Sequence, residues 1–273
     1  MIPFVKAHAC GNDFLIVDAK SIEEAEQRKL AIRLCARHTG LGADGIEFLQ
    51  WTGERAASVR LFNIDGSIAE ISGNGTRCVA AWMAREKQAG TGDSFVIETD
   101  AGTRECRIVG AFGRRFEIAA AMGVPIVSPR TVTLARGVTI EGSVVSMGNP
   151  HFVIFVEDKS FAVSGVEWES IGREICFHSD FPQQTNVEFV RLASTEEIEI
   201  RVFERGVGPT TSSGTGTCAS AAASIALRGL SEQLLVRARG GTQLVAWPGP
   251  SQSSPAEMTL TGPAELIASG EAF

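Results

Sequence analysis

Apolar and polar residues alternate along most of this chain with the period of two that is typical of β-strands. Turn-forming residues separate the alternating segments, which have the length of ordinary strands. The pattern predicts strands at 14–17, 46–51, 58–63, 95–99, 115–119, 152–156, 187–192 and 198–203. We therefore expect a strand-rich protein with few helices.

Four helices are predicted between these strands. The first begins at a capping box formed by Ser21 and Glu24 and ends before Gly40. The others are expected at about 76–87, 168–177 and 217–227, and Gly229 closes the last of them. Apolar residues cover nearly every side of the second and fourth helices, so both are expected to be buried.

The motif Ser-Gly-x-Gly-Thr occurs twice, at 72–76 and 213–217, each time at the start of a buried helix. In both copies a phenylalanine, Phe62 or Phe203, lies ten residues before the serine. A Gly-Asn pair followed by an apolar run precedes each serine by some sixty residues, at 11–12 and 148–149. This repeated order predicts two related halves with an active site between them.

The length of the chain, 273 residues, is sufficient for two domains that each have a core. The strand pattern breaks near residues 122–125, and the segment after Gly262 and Pro263 is expected to return to the first half. We predict an N-terminal domain of residues 1–120 plus 263–273 and a C-terminal domain of residues 121–262.

Composition narrows the class of ligand. Hydrophobic residues make up 44% of the chain and the net charge is -7, which argues against binding of nucleic acid or an anionic membrane. No apolar run approaches the ~18 residues of a spanning helix, so a cytoplasmic protein with a small-molecule substrate is expected. The six cysteines are scattered, which predicts free thiols. No metal or cofactor is expected, because metal-ligand and phosphate-binding motifs are missing and the lysines lie outside the glycine-rich segments.

Two helix N-termini that follow glycine turns can bind an anionic group through their backbone N–H groups. Arg205 can hold a carboxylate in a fork and Glu204 an ammonium group, so the two together suit a zwitterion. Ser72 and Ser213 are the candidate catalytic residues. The candidate substrate-binding residues are amides at strand ends, the charged doublet and members of the two motifs: Asn12, Asn63, Gly73, Asn74, Asn149, Asn186, Glu204, Arg205, Gly214 and Thr215.

Seven short strings resemble diaminopimelate epimerases and follow that family's order along the whole chain. They are Gly-Asn-Asp-Phe at 11–14, Gly-Ala-Asp-Gly at 42–45, Phe-Asn-x-Asp-Gly-Ser at 62–67, Gly-Asn-Gly-x-Arg-Cys at 73–78, Gly-Asn-Pro-His at 148–151, Thr-Asn-Val-Glu-Phe at 185–189 and Glu-Arg-Gly-x-Gly at 204–208. The resemblance implies an α+β fold of two pseudo-symmetric domains, each a mostly antiparallel sheet wrapped around a central helix. It also implies cofactor-independent epimerisation at the α-carbon of an amino acid, with LL-diaminopimelate converted to the meso form. The pocket amides, Glu204 and Arg205 would hold the distal end of the substrate, and a homodimer is a candidate assembly.

The chain departs from the family at the catalysts. The family uses two cysteines, one as thiolate base and one as thiol acid, immediately before the two Gly-x-Gly turns, where this chain has Ser72 and Ser213. A thiol at a helix N-terminus ionises near neutrality, whereas a serine hydroxyl needs a neighbouring base. Glu70 and His151 are the candidates for such a base. Cys78 and Cys218 match cysteines inside the two helices and are not the catalytic pair.

Three functions remain open from the sequence. The first is an amino-acid epimerase that works with hydroxyl groups, for which diaminopimelate is the expected substrate. The second is a divergent isomerase or dehydratase of the same fold that uses a non-thiol base. The third is a non-catalytic amino-acid binder. Retained amides and Arg205 are compatible with all three.

Overall fold

A computed structural model describes residues 1–69, 71–250 and 256–273. Two features named from the sequence, Glu70 and the side chain of Ser21, lie outside the described residues. The chain divides into two compact units: unit 1 is Met1–Ala121 with Thr261–Phe273, and unit 2 is Met122–Leu260. No helix of the described residues combines the length and the apolar character needed to cross a membrane.

Unit 1 consists of strands and two helices. Its strands are β1 (Ile2–Ala9), β2 (Asn12–Asp18), β3 (Gly45–Gly53), β4 (Ala56–Asn63), β5 (Ile68–Ala69), β6 (Ser94–Thr99), β7 (Gly102–Phe112) and β8 (Arg115–Ala121), together with most of the last strand of the chain, β17 (Thr259–Ala272). Its helices are α1 (Glu24–Cys35) and α2 (Gly73–Glu86), and a short 3-10 turn, Ala19–Ser21, precedes α1.

Unit 2 repeats this content. Its strands are β9 (Ile126–Thr133), β10 (Thr139–Ser146), β11 (Pro150–Phe155), β12 (Asn186–Leu192), β13 (Glu197–Glu204), β14 (Gly208–Thr210), β15 (Gln233–Ala238) and β16 (Gly241–Ala246). Its helices are α3 (Trp168–Cys176) and α4 (Gly214–Arg228).

Strand pairing follows one scheme in both units. In unit 1, β2 and β3 are parallel, β3 and β4 antiparallel, and β4 and β6 parallel. In unit 2, β11 and β12 are parallel, β12 and β13 antiparallel, and β13 and β15 parallel. The other pairs with a described register are antiparallel. Each unit is therefore a mostly antiparallel sheet, and the predicted two-fold repeat of an α+β fold is confirmed.

A buried helix lies at the centre of each unit. α2 packs against β1, β2, β6, β7 and β8, and α4 packs against β9 to β13, β15 and β16. Residues 73–81 and 214–225 are buried without interruption, because small side chains allow strands to approach the helix from all sides. In unit 2, Gly229 closes α4 with a left-handed φ of 66°, as expected for a glycine C-cap.

Three predicted helix starts differ from the structure. α2 and α4 begin at Gly73 and Gly214, three residues before the predicted starts, since the serines themselves serve as N-caps. α1 begins at Glu24 with Glu23 as its N-cap, so the predicted capping box starting at Ser21 is wrong. The backbone around Ser21 forms the 3-10 turn instead.

The outer helices cover the opposite side of each unit's sheet. α1 packs on β3 and β4, where Leu34, Ile46 and Phe62 belong to one buried cluster. α3 packs on β12 and β13, where Ile171, Phe189 and other apolar residues form the corresponding cluster. The outer helices thus pack on the two strands that precede each serine motif, β3 and β4 in unit 1 and β12 and β13 in unit 2.

Candidate active site

In unit 1, Ser72 is held at the positive end of α2. Its Oγ accepts a hydrogen bond from the Gly75 backbone N–H at 3.1 Å, and its carbonyl oxygen accepts one from Thr76 Oγ1 at 2.8 Å. The backbone of Ser72 is extended, as is usual for an N-cap residue. The hydroxyl therefore has a fixed position at the first turn of α2.

The predicted pocket amides of unit 1 contact each other. Asn74 Nδ2 donates to Asn12 Oδ1 at 3.3 Å, and Asn12 Nδ2 donates to Asp44 Oδ2 at 2.7 Å. The fully buried Arg77 donates to Asn74 Oδ1 at 2.7 Å and to the Gly73 carbonyl at 3.0 Å. This network orients both amides and places the buried positive charge of Arg77 beside the first residues of α2.

Asn63 belongs to a different contact. Its Nδ2 donates to Ser67 Oγ at 3.0 Å, within the turn that follows β4. Ser67 in turn donates to Asp65 through its backbone N–H and its hydroxyl. The hydrogen bond of Asn63 thus stabilises this turn, and a role for Asn63 in substrate binding stays a prediction.

A buried glutamate that the sequence analysis missed adjoins the first serine motif. Glu47, on β3, is 2% exposed. A Cβ atom built on Gly75 would lie 2.0 Å from Glu47 Oε1 and 3.2 Å from Ser72 Cβ, so the carboxyl and the serine adjoin the same glycine. Burial raises the pKa of Glu47 to about 8, because the charged form loses its hydration. Near neutral pH this carboxyl carries a proton.

The contact with Gly75 makes a testable prediction. Gly75→Ala should lower the free energy of unfolding by about 1–3 kcal/mol, because the added methyl group forces the buried Glu47 carboxyl to move. Denaturant unfolding measures this loss. Gly90→Ala is the control, since a Cβ there meets no atom within 4 Å. A Gly75→Ala variant as stable as the wild type would show that Glu47 is not packed against this glycine.

In unit 2, Ser213 caps α4 in the same way and also contacts a carboxylate. Its Oγ accepts from the Gly216 backbone N–H at 3.2 Å, and its side chain lies close enough to Glu204 to influence the ionisation of that carboxyl. Thr210 Oγ1 donates to Glu204 Oε1 at 3.3 Å. Burial raises the pKa of Glu204 to about 7, and the neighbouring Ser213 opposes this shift. Ser213 thus has as its neighbour a carboxyl that can change protonation state near neutrality.

His151 and Glu188 form a fully buried pair, and the Glu188 carboxyl adjoins Gly216 on the helix that Ser213 caps. His151 Nδ1 lies 2.7 Å from Glu188 Oε1, and its Nε2 lies 3.0 Å from Asn149 Oδ1. Asn149 Nδ2 donates to Thr215 Oγ1 at 3.3 Å, as Asn12 and Asn74 are joined in unit 1. Burial raises the pKa of the Glu188 carboxyl, while His151 opposes the shift.

The remaining predicted residues of unit 2 lie at the ends of β12 and β13. Asn186 Nδ2 donates to the Pro150 carbonyl at 3.0 Å, and Asn186 Oδ1 accepts from the Arg205 backbone N–H at 2.9 Å. Asn186 therefore joins β11 to the turn after β13. The Arg205 guanidinium lies 3.4 Å from the Gln183 carbonyl and is partly exposed.

A repeated spacing could have revealed Glu47 from the sequence. Glu47 and Glu188 each lie twenty-five residues before the serine of their motif, and a phenylalanine follows both. A Cβ built on Gly216 would lie 2.8 Å from Glu188 Oε1, which matches the contact of Glu47 with Gly75. Alignment of the two halves at their serines would have shown these glutamates as equivalent.

Other titratable residues lie apart from the serine motifs or are inert. His8 Nε2 lies 3.8 Å from Glu265 on β17. All six cysteines are buried and none of them forms a disulfide, and burial raises the pKa of the Cys78 thiol. Across the described ranges, no three His, Cys, Asp or Glu side chains are grouped as metal ligands.

Comparison with known proteins identifies the family. The family model described as diaminopimelate epimerase matches residues 4–127 and 143–267. A diaminopimelate epimerase of Pelotomaculum thermopropionicum is 36% identical over 98% of both chains.

Solved structures with low sequence identity share the fold. A phenazine biosynthesis protein of the PhzF family from Bacillus anthracis has a TM-score of 0.75 at 17% identity, and the match covers 100% of this chain and 99% of that protein. A probable proline racemase of Agrobacterium radiobacter has a TM-score of 0.72 at 17% identity, with 100% and 93% covered. Together with the family match, these results confirm the resemblance inferred from the sequence strings: the chain belongs to the diaminopimelate epimerase family.

Proposed function

We propose that this chain is a cofactor-independent epimerase that converts LL-diaminopimelate to the meso form. The coarser assignment, an amino-acid epimerase of the isomerase class, follows from the family to which the chain belongs. Diaminopimelate is proposed as the substrate because the curated relatives, which match along nearly the full chain, are named diaminopimelate epimerase.

The position of Ser213 at the start of α4, next to the carboxyl of Glu204, is the observation that carries the proposal. A serine hydroxyl becomes a base only when a neighbouring group accepts its proton. Glu204, with a pKa of about 7, is such a group, and the start of α4 stabilises negative charge on the serine oxygen. From the sequence, Glu204 is predicted to be the ligand of an ammonium group. Its contact with Ser213 favours proton transfer instead.

In the proposed reaction, Ser213 takes the α-proton of the substrate while its own proton passes to Glu204. Ser72, the other candidate catalytic residue, returns a proton to the opposite side of the α-carbon, which inverts the configuration. The N-terminal N–H groups of the central helices stabilise the carboxylate as negative charge develops at the α-carbon. Arg205 binds the distal carboxylate, and Asn12, Asn74, Asn149 and Asn186 orient the substrate.

A divergent isomerase or dehydratase is the second candidate function. The buried His151–Glu188 pair favours it, because this pair offers a non-thiol base that does not depend on either serine. Such an enzyme would act on another acid and would lose activity when His151 is replaced by Phe. A non-catalytic amino-acid binder is the third candidate.

Solvent-deuterium incorporation tests the proposal. With diaminopimelate in deuterium oxide, mass spectrometry should detect deuterium at the α-carbon and chiral chromatography should detect the second isomer. Ser213→Ala should lower the exchange rate by about 100-fold or more, as expected for loss of a general base. Ser194→Ala, in an exposed turn before β13, is the control and should retain the full rate. Binding of diaminopimelate without any exchange would contradict the proposal and favour the binder.

A further inference from the structure

In unit 1, an amide stands at the sequence position that corresponds to Glu204 of unit 2. Glu204 directly follows Phe203, and the residue that directly follows the equivalent Phe62 is Asn63. An amide does not accept a proton near neutral pH. Ser72 therefore needs another group if its hydroxyl is to exchange a proton.

Among the described residues, Glu47 is a carboxyl that adjoins Ser72. Both side chains lie against Gly75, as the atoms around a Cβ built there show. Glu47 is 2% exposed, and burial is the cause of its raised pKa. A buried carboxyl costs stability, so its place beside Ser72 at the start of α2 points to a chemical role.

The two units give this buried glutamate different surroundings. Glu188 is paired with His151, which is the fourth residue of the Gly-Asn string at 148–151. The fourth residue of the corresponding string at 11–14 is Phe14. The strand register agrees, because Phe14 pairs with Gly45 and His151 pairs with Asn186, each two residues before the glutamate. At Glu188 a histidine therefore opposes the rise in pKa that burial causes, whereas at Glu47 burial acts alone.

We propose that Glu47 stores the proton of unit 1 and passes it to the α-carbon of the substrate through the hydroxyl of Ser72. This inference rests on the proposed epimerase function. In the step, the Ser72 O–H bond breaks and its proton joins the carbanion lone pair to form the new C–H bond. The O–H bond of Glu47 breaks at the same time, its proton restores the serine hydroxyl, and a carboxylate remains. Solvent reprotonates that carboxylate after product release, and the reverse reaction runs through the same groups.

Several titratable groups lie around this relay. The Cys78 thiol on α2 is affected by the charges of Glu47, Arg77, Cys10 and Asp13. Cys10 lies in the turn between β1 and β2, and Asp13, on β2, forms ion pairs with Lys6 and Arg37. Burial accounts for the raised pKa of Glu47, so we expect this carboxyl to cause a change in the exchange rate as pH passes through about 8.

Glu47→Gln, made in the wild type and in a Ser72→Cys background, tests the inference. In the wild type the variant should lower kcat for α-proton exchange by about 100-fold, with KM changed less than about threefold, because proton transfer is lost and binding is not. In the Ser72→Cys background the loss should be less than about threefold, since a thiol at a helix N-terminus exchanges protons without a relay. Glu47→Asp should retain part of the rate and the limb of the pH profile.

The outcomes separate the relay from the epimerase function. Equal losses in both backgrounds would assign Glu47 a structural role and overturn the inference, as would a full rate in Glu47→Gln. An inert wild type with an active Ser72→Cys, Ser213→Cys variant would also overturn it, because the hydroxyl would then carry no proton, while the substrate assignment would stand. Lack of exchange in every variant would overturn the epimerase function and the relay together.

Discussion

Replacing both motif serines by cysteine, Ser72→Cys with Ser213→Cys, is expected to raise the rate of α-proton exchange on diaminopimelate by orders of magnitude. A thiol has an unperturbed pKa of about 8.5, and the start of a helix lowers it further, so a thiolate is populated near neutral pH whereas an alkoxide is not. Both positions are N-caps of buried helices, which supply that field. Deuterium incorporation at the α-carbon measures the gain.

Ser72→Cys alone or Ser213→Cys alone should raise the exchange rate much less than the two substitutions together. A two-base reaction needs an acid on one side of the α-carbon and a base on the other, so the contributions are not additive. A double variant that still binds diaminopimelate but stays inert would contradict the epimerase proposal. Activity of the wild type on another acid, lost in His151→Phe and not improved by the cysteines, would support the isomerase or dehydratase.

Glu47→Leu is expected to raise the stability of the protein, and the gain should grow with pH. The pKa of Glu47 is about 8 in the folded chain, against 4.5 as the ordinary value. Between these values the folded protein keeps a proton that the unfolded chain has released, so the stability of the wild type falls as pH rises through this window. Leucine has a similar volume and no ionisable group, so the variant lacks this loss.

The gain should approach its maximum above about pH 8 and be on the order of 5 kcal/mol, since one pKa unit corresponds to about 1.4 kcal/mol. Denaturant unfolding at a series of pH values from 5 to 9 measures it. Glu86→Leu, at an exposed position near the end of α2, is the control and should show no such trend. A Glu47→Leu variant that loses stability at every pH would mean that the carboxyl has a structural partner. Loss of exchange together with gained stability is the result expected for a functional group.

Local patterns predicted much of the fold. The alternation along the strands, the apolar helices after each motif and the glycine at 229 are short-range features, and each depends on a few neighbouring residues. The helix starts were misplaced because the serine of each motif acts as N-cap, so that the glycines already belong to the helix. In α1 the predicted capping pair failed, since the chain forms a 3-10 turn before the helix.

By itself the sequence determined the repeat, the family and the positions of both motif serines, because these rest on residue order and spacing alone. Only the tertiary structure decided which carboxyl adjoins each serine. Glu47 and Ser72 come together because β3 and the start of α2 pack at Gly75, and Glu204 reaches Ser213 at the end of β13. Burial then set their protonation, since a pKa depends on lost hydration and on neighbouring charges that arise when distant segments pack together.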